Sequence, residues 1–171
     1  MILRPTAFAL VLALAAIPAA AEATPHAPTL ALASLSDLTV PDHPYDETAN
    51  ADAAVDAAFT KARETHRRVM LDLGGNWCGD CRVLAGIMER PEMKRFIDQH
   101  YVLVSVDVGR FNKNLQVPAR FGITGRLVGV PTVLVANADG TLVNRNDVFA
   151  LADARSMTPQ AIADWLAQWA L

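Results

Sequence analysis

The chain has 171 residues, 52% of them hydrophobic, enough for one domain with a substantial core. Its formal net charge of −3 is spread along the sequence without a basic block, which leaves no electrostatic footprint for nucleic acid. Two cysteines supply half of a tetrahedral site, and His26, His43, His66 and His100 lack the spacing of paired ligands, so neither a metal nor a cofactor is expected.

The first segment has the pattern of an export leader. Arg4 and the α-amino group give a positive start, an apolar run covers Ala7 to Ile17, and Pro18 breaks it before Ala19-Ala20-Ala21. Residues 1–21 are expected to be a signal peptide cleaved near Ala21, sending the protein to the periplasm. The alternative is an uncleaved leader that anchors it to the membrane. A permanent membrane helix needs about 20 apolar residues, more than this run offers. No cysteine follows the run to accept a lipid.

Residues 22–47 are expected to form an extended arm, and 48–171 the folded domain. The arm carries Pro25, Pro28, Pro41 and Pro44 among small residues, with Leu30, Leu32, Leu35, Leu38 and Val40 available for packing. Ala51 to His66 has helical spacing of Val55, Phe59 and Ala62. Val69 to Leu73 suits a buried parallel strand, with Asp72 as its one charge, and Gly74-Gly75 end it.

Past Cys81, an apolar stripe of Val83, Leu84, Ile87 and Met88 predicts a helix that stops or kinks at Pro91. Glu92 to Gln99 continues helically, and Tyr101 to Val108 is a valine-rich second strand. A helical or irregular connection follows around Leu115 to Phe121. Val130 to Val135 predicts a third strand, Ala138 to Thr141 a turn, and Leu142-Val143 the start of a fourth strand. The last helix has Thr158 as N-cap, Pro159 at its first position, and Ile162, Trp165, Leu166 and Trp169 on its inner face. This order of elements predicts helices packed on a mixed sheet.

Cys78 and Cys81 sit between a strand and a helix, in Trp77-Cys78-Gly79-Asp80-Cys81. As a structural staple the pair would close too short a loop to restrain the unfolded chain. As chemistry it makes sense: free N–H groups at a helix start favour a thiolate at Cys78, and the thiolate is the attacking form. Cys81, one turn on, can then displace whatever Cys78 captures. The account requires that neither sulfur lie deep in the interior and that the two lie within bond-forming reach of each other.

These residues resemble the thioredoxin superfamily. The segment Trp77 to Cys81 is similar to the family's W-C-G-P-C with Asp80 in place of proline. Asp72 matches its buried acid, and Gly129-Val130-Pro131-Thr132 resembles its cis-proline loop. The resemblance covers roughly Ala51 to Leu171 and is nearest to exported single-domain members and the C-terminal domain of transmembrane disulfide reductants. It implies an α/β fold, a three-layer sandwich with a mixed central sheet flanked by helices. It also implies a thiol–disulfide oxidoreductase in which Cys78 and Cys81 form the redox-active disulfide. Asp72 would exchange a proton with Cys81, Trp77 would lie beside the thiol, and Val130 and Pro131 would offer backbone to a client strand.

The partners so implied are protein thiols and disulfides, together with a membrane electron donor. Asp80 places a like charge beside Cys78, with Arg82 expected to offset part of it, and this predicts a pair that leans reducing. The competing readings are a disulfide oxidase or isomerase, although no dimerisation region is evident, and a binding module without turnover. Arg126 to Gly129 resemble an insertion before the proline loop.

Overall fold

Strand β1, Arg68–Gly74, lies at the centre of the computed structural model, which describes residues 25–171. The expected leader and its cleavage point lie outside the described residues. Strand β2, Tyr101–Asp107, runs parallel to β1 with Asp72 opposite Ser105, and β3, Thr132–Ala136, runs antiparallel with Asp72 opposite Val133. The order β2-β1-β3 makes a mixed sheet.

Helices cover both faces because alternate strand residues point opposite ways. Val69, Leu71 and Leu73 pack with α1, Ala51–Thr65. Met70, Val133 and Val135 pack with α2, Gly79–Met88, with α3, Pro91–His100, and with α5, Pro159–Ala167. A short helix α4, Gln116–Ala119, adds Val117 to the α1 side. The chain is thus a three-layer α/β sandwich, in agreement with the sequence. Among the described residues, no helix is long and apolar enough to cross a membrane.

Local signals account for most boundaries. Asn50 caps α1, whose chain turns out through a left-handed His66 at φ 53°. Pro91 does not kink a helix; it opens a new one, because α2 has already ended at Met88 and a proline lacks only an N–H that the first turn leaves unpaired. Thr158 Oγ1 accepts from Ala161 N–H at 3.1 Å and starts α5, on which Ile162 and Leu166 are buried.

The arm is packed rather than loose. A 3₁₀ turn at Leu35–Asp37 precedes Leu38, which is buried with Leu30 against α2 and α5, and Tyr45 is 2% exposed. Gly86 makes room for it, since a Cβ there would stand 2.8 Å from the Thr39 carbonyl oxygen.

The expected fourth strand does not form. Only a single bridge joins Ala136 to Leu142. Beyond it the buried side chain of Asn144 replaces strand backbone, accepting from Val135 N–H and donating to the Val133 carbonyl, both at 2.8 Å. Val143 N–H to Val135 O at 2.8 Å and Val133 N–H to Val148 O at 2.9 Å complete that border.

Candidate active site

Gly74 and Gly75 end β1, and the next residues set up the site. Asn76 Oδ1 accepts from Tyr45 N–H and its amide donates to the Tyr45 carbonyl, both at 3.0 Å. Cys78 is itself the N-cap of α2: its backbone is extended and its sulfur accepts from Cys81 N–H at 3.2 Å. The helix N-terminus therefore aims its unpaired donors at this sulfur. The thiol in turn donates to the Val130 carbonyl at 3.4 Å, just before the cis Val130-Pro131 bond.

Both cysteines are free thiols. Cys78 is 5% exposed, at the surface of the site, whereas Cys81 has no exposed area. The requirement that neither sulfur be deep is thus not met by Cys81. A resolving sulfur has to reach only Cys78, so its burial beneath that residue leaves the exchange geometrically open.

The two sulfurs differ in acidity. The hydrogen bond from Cys81 holds the Cys78 thiol down at about 7, aided by backbone N–H groups and opposed by burial and by Asp80. The same bond, with burial and the nearby Asp72 charge, pushes Cys81 far upward. Burial raises Asp72 to about 7, against the lowering effect of a hydrogen bond from Tyr45. Asp72 is 1% exposed; its Oδ2 accepts from the Tyr45 hydroxyl at 2.8 Å and its Oδ1 has no partner.

Arg82 does not counter Asp80. It donates to the Pro41 carbonyl at 2.9 Å and pairs with Asp42, both on the arm. Arg155, from the 3₁₀ turn Ala154–Ser156, serves instead: its N–H donates to Asp80 Oδ1 at 2.9 Å and its guanidinium meets Oδ2 at 3.1 Å.

Outside the dithiol, Trp77 is 43% exposed, and its indole N–H donates to the Gly109 carbonyl at 2.7 Å. Phe111 meets it edge-on, with ring centres 5.8 Å apart. The guanidinium of Arg110 lies 5.1 Å over the Trp77 ring, and that of Arg126 lies 4.5 Å over Phe111. The segment Arg126 to Gly129 thus joins the rim, with Val128 exposed and Leu127 buried.

The fold brings Asp72, Cys78, Cys81, Val130 and Pro131 together and puts Trp77 beside them. Sequence reasoning missed Tyr45 and Arg155. Tyr45 is the only aromatic residue of the arm, which is a weak signal; Arg155 carried none. Among the described residues, no cluster of metal-ligating side chains occurs.

The family described as Thioredoxin-like matches residues 50–138, just over half of the chain. A thioredoxin of Alicyclobacillus acidocaldarius subsp. acidocaldarius is 29% identical over 80 residues, spanning 47% of this chain and 68% of that protein. Among solved structures, a disulphide isomerase from Xylella fastidiosa Temecula1 is similar at a TM-score of 0.67 and 36% identity, covering 73% of this chain and 95% of that one. The C-terminal domain of Neisseria meningitidis DsbD in its oxidised form matches at a TM-score of 0.42 and 24% identity, over 56% of this chain and 80% of that domain.

Proposed function

Since the chain belongs to the Thioredoxin-like family and is a thiol–disulfide oxidoreductase, we propose that it reduces protein disulfides outside the cytoplasm through Cys78 and Cys81. Residues 1–21 are the export leader, 22–47 the arm and 48–171 the catalytic domain. The observation that carries this reading is the Cys78 sulfur capping α2 with a thiol drawn down to about 7.

Cys78 thiolate attacks a client disulfide, giving a mixed disulfide and a released client thiolate. Cys81 then attacks Cys78 Sγ, freeing the second client sulfur and leaving the Cys78–Cys81 disulfide. A client strand pairs with the backbone at Val130, beside Pro131, with Trp77 at its flank. A membrane dithiol donor returns the two electrons.

The acidity of Cys78 supports the reducing direction. It lies near the thioredoxin value of about 7 rather than the value of about 3.5 found in a strong oxidant. The dithiol is expected near −270 mV, and a potential near −120 mV would overturn the direction. The name of the Xylella protein favours a second reading, disulfide isomerisation. Reactivation of a scrambled disulfide protein without net thiol consumption would select it.

Cys78→Ser is expected to abolish insulin-type disulfide reduction, while Cys81→Ser accumulates mixed disulfides with clients on non-reducing gels. Full function of the Cys78→Ser protein would leave only a binding module.

A further inference from the structure

The inner side of the dithiol contains a group from outside the residues that match the family. Tyr45 reaches it from the arm, and the reciprocal bonds to Asn76 fix its backbone two residues before Cys78. Its hydroxyl donates to Asp72 Oδ2 at 2.8 Å. The same hydroxyl lies against Cys81: a Cβ on Gly74 would stand 2.3 Å from the Tyr45 oxygen and 2.8 Å from Cys81 Sγ. Thiol and phenol therefore crowd one glycine face, with the carboxylate bonded to the phenol, and Asp72 Oδ1 is left without a hydrogen bond.

We propose that the Tyr45 hydroxyl carries the proton between Cys81 and Asp72, so that the arm supplies a catalytic group to the dithiol. This rests on the reading above, in which Cys81 resolves the mixed disulfide. Cys81 passes its proton to the Tyr45 oxygen as the Tyr45 proton moves to the Asp72 carboxylate. The electron pair on Cys81 sulfur forms the bond to Cys78 sulfur. The bond from Cys78 to the client breaks, and its pair leaves on the client sulfur, which is reduced and takes a proton from solvent. Asp72 keeps the transferred proton until a dithiol donor reduces the pair, when it returns through Tyr45 to Cys81.

A phenol suits the post because a hydroxyl donates and accepts at once. Burial, with the Asp72 and Cys81 charges, holds Tyr45 far above its ordinary value, so it stays neutral and ready to do both. The titratable groups facing Asp72 are Tyr45 from the arm and Cys78 and Cys81 from the start of α2.

The test is Tyr45→Phe in the full protein, which keeps the ring and removes only the hydroxyl. Attack by Cys78 on a small aromatic disulfide and release of the aromatic thiol by Cys81 are timed separately. Attack is expected to stay within about twofold, while release slows by about tenfold or more, in the range of general acid–base effects. In the unaltered protein, release is expected to rise with pH around 7 as Asp72 ionises. In the Phe variant that rise moves to higher pH, a displacement that loss of packing alone would not cause.

Against an Asp72→Asn background, Tyr45→Phe is expected to add nothing. Equal slowing in that background, or unchanged release in the single variant, overturns the proposal. On the unaltered protein, a proton inventory in mixed H₂O and D₂O is expected to curve, because two protons move together; a straight line overturns it. Loss of all activity in Cys78→Ser together with a failed Tyr45 test would sink this inference and leave the proposed function standing.

Discussion

Cys78 holds its acidity against two opposing neighbours, burial and Asp80, and this makes the sulfur a sensitive reporter. Iodoacetamide alkylation is expected to be half-maximal near pH 7, against 9.0 for an unperturbed thiol. Asp80→Asn removes a like charge and frees Arg155, so alkylation at pH 6 should quicken by roughly two- to fivefold, the range of a partly exposed charge pair. Slower alkylation would show that the Asp80 backbone geometry outweighs its charge. Asp72 makes a second prediction, on stability. Its folded value of about 7 exceeds the ordinary 3.8 of an aspartate, so the folded state holds the proton more tightly than the unfolded chain. Its contribution is complete below about pH 4 and is lost as pH rises through 7. Asp72→Asn should flatten that fall in urea unfolding and raise stability at pH 8 by a few kcal/mol. The cysteines, Asp72 and Pro131 were visible in the sequence because each sits in a short motif. Tyr45 and Arg155 were not, since Tyr45 bonds Asp72 across 27 positions and Arg155 bonds Asp80 across 75.

The elements themselves were legible where periodicity and end signals agreed, as in α1, β1, β2 and α5. They were not legible where a side chain imitates backbone: Leu142-Val143 has strand residues, yet the ladder passes to the Asn144 amide, which no alternation pattern reveals. The arm is the other case. Four prolines suggest an irregular segment, which it is, but its docking depends on a gap in α2 at Gly86 that the helix pattern conceals. That gap gives a prediction whose sign is diagnostic. In an open helix, Gly→Ala stabilises by about 0.5–1 kcal/mol. Gly86→Ala should instead destabilise by about 1–3 kcal/mol, because its methyl meets the Thr39 carbonyl and Leu38. Denaturant unfolding decides between the two signs.

The whole molecule places every reacting group on one end of the sheet, where β1 hands over to α2 and the loop before β3 returns. The family match begins at residue 50, after Tyr45, so a chain begun at that boundary would lose the phenol together with the core packing of Leu30 and Leu38. On β3, the outward N–H and carbonyl groups of Val133 and Val135 are all engaged, two of the four by a single carboxamide. Shortening Asn144 to alanine would leave one donor and one acceptor searching for company, and the nearest supply at high concentration is another molecule of the same kind. The Asn144→Ala protein should then turn cloudy on storage, with light scattering that grows with concentration while the dithiol remains competent.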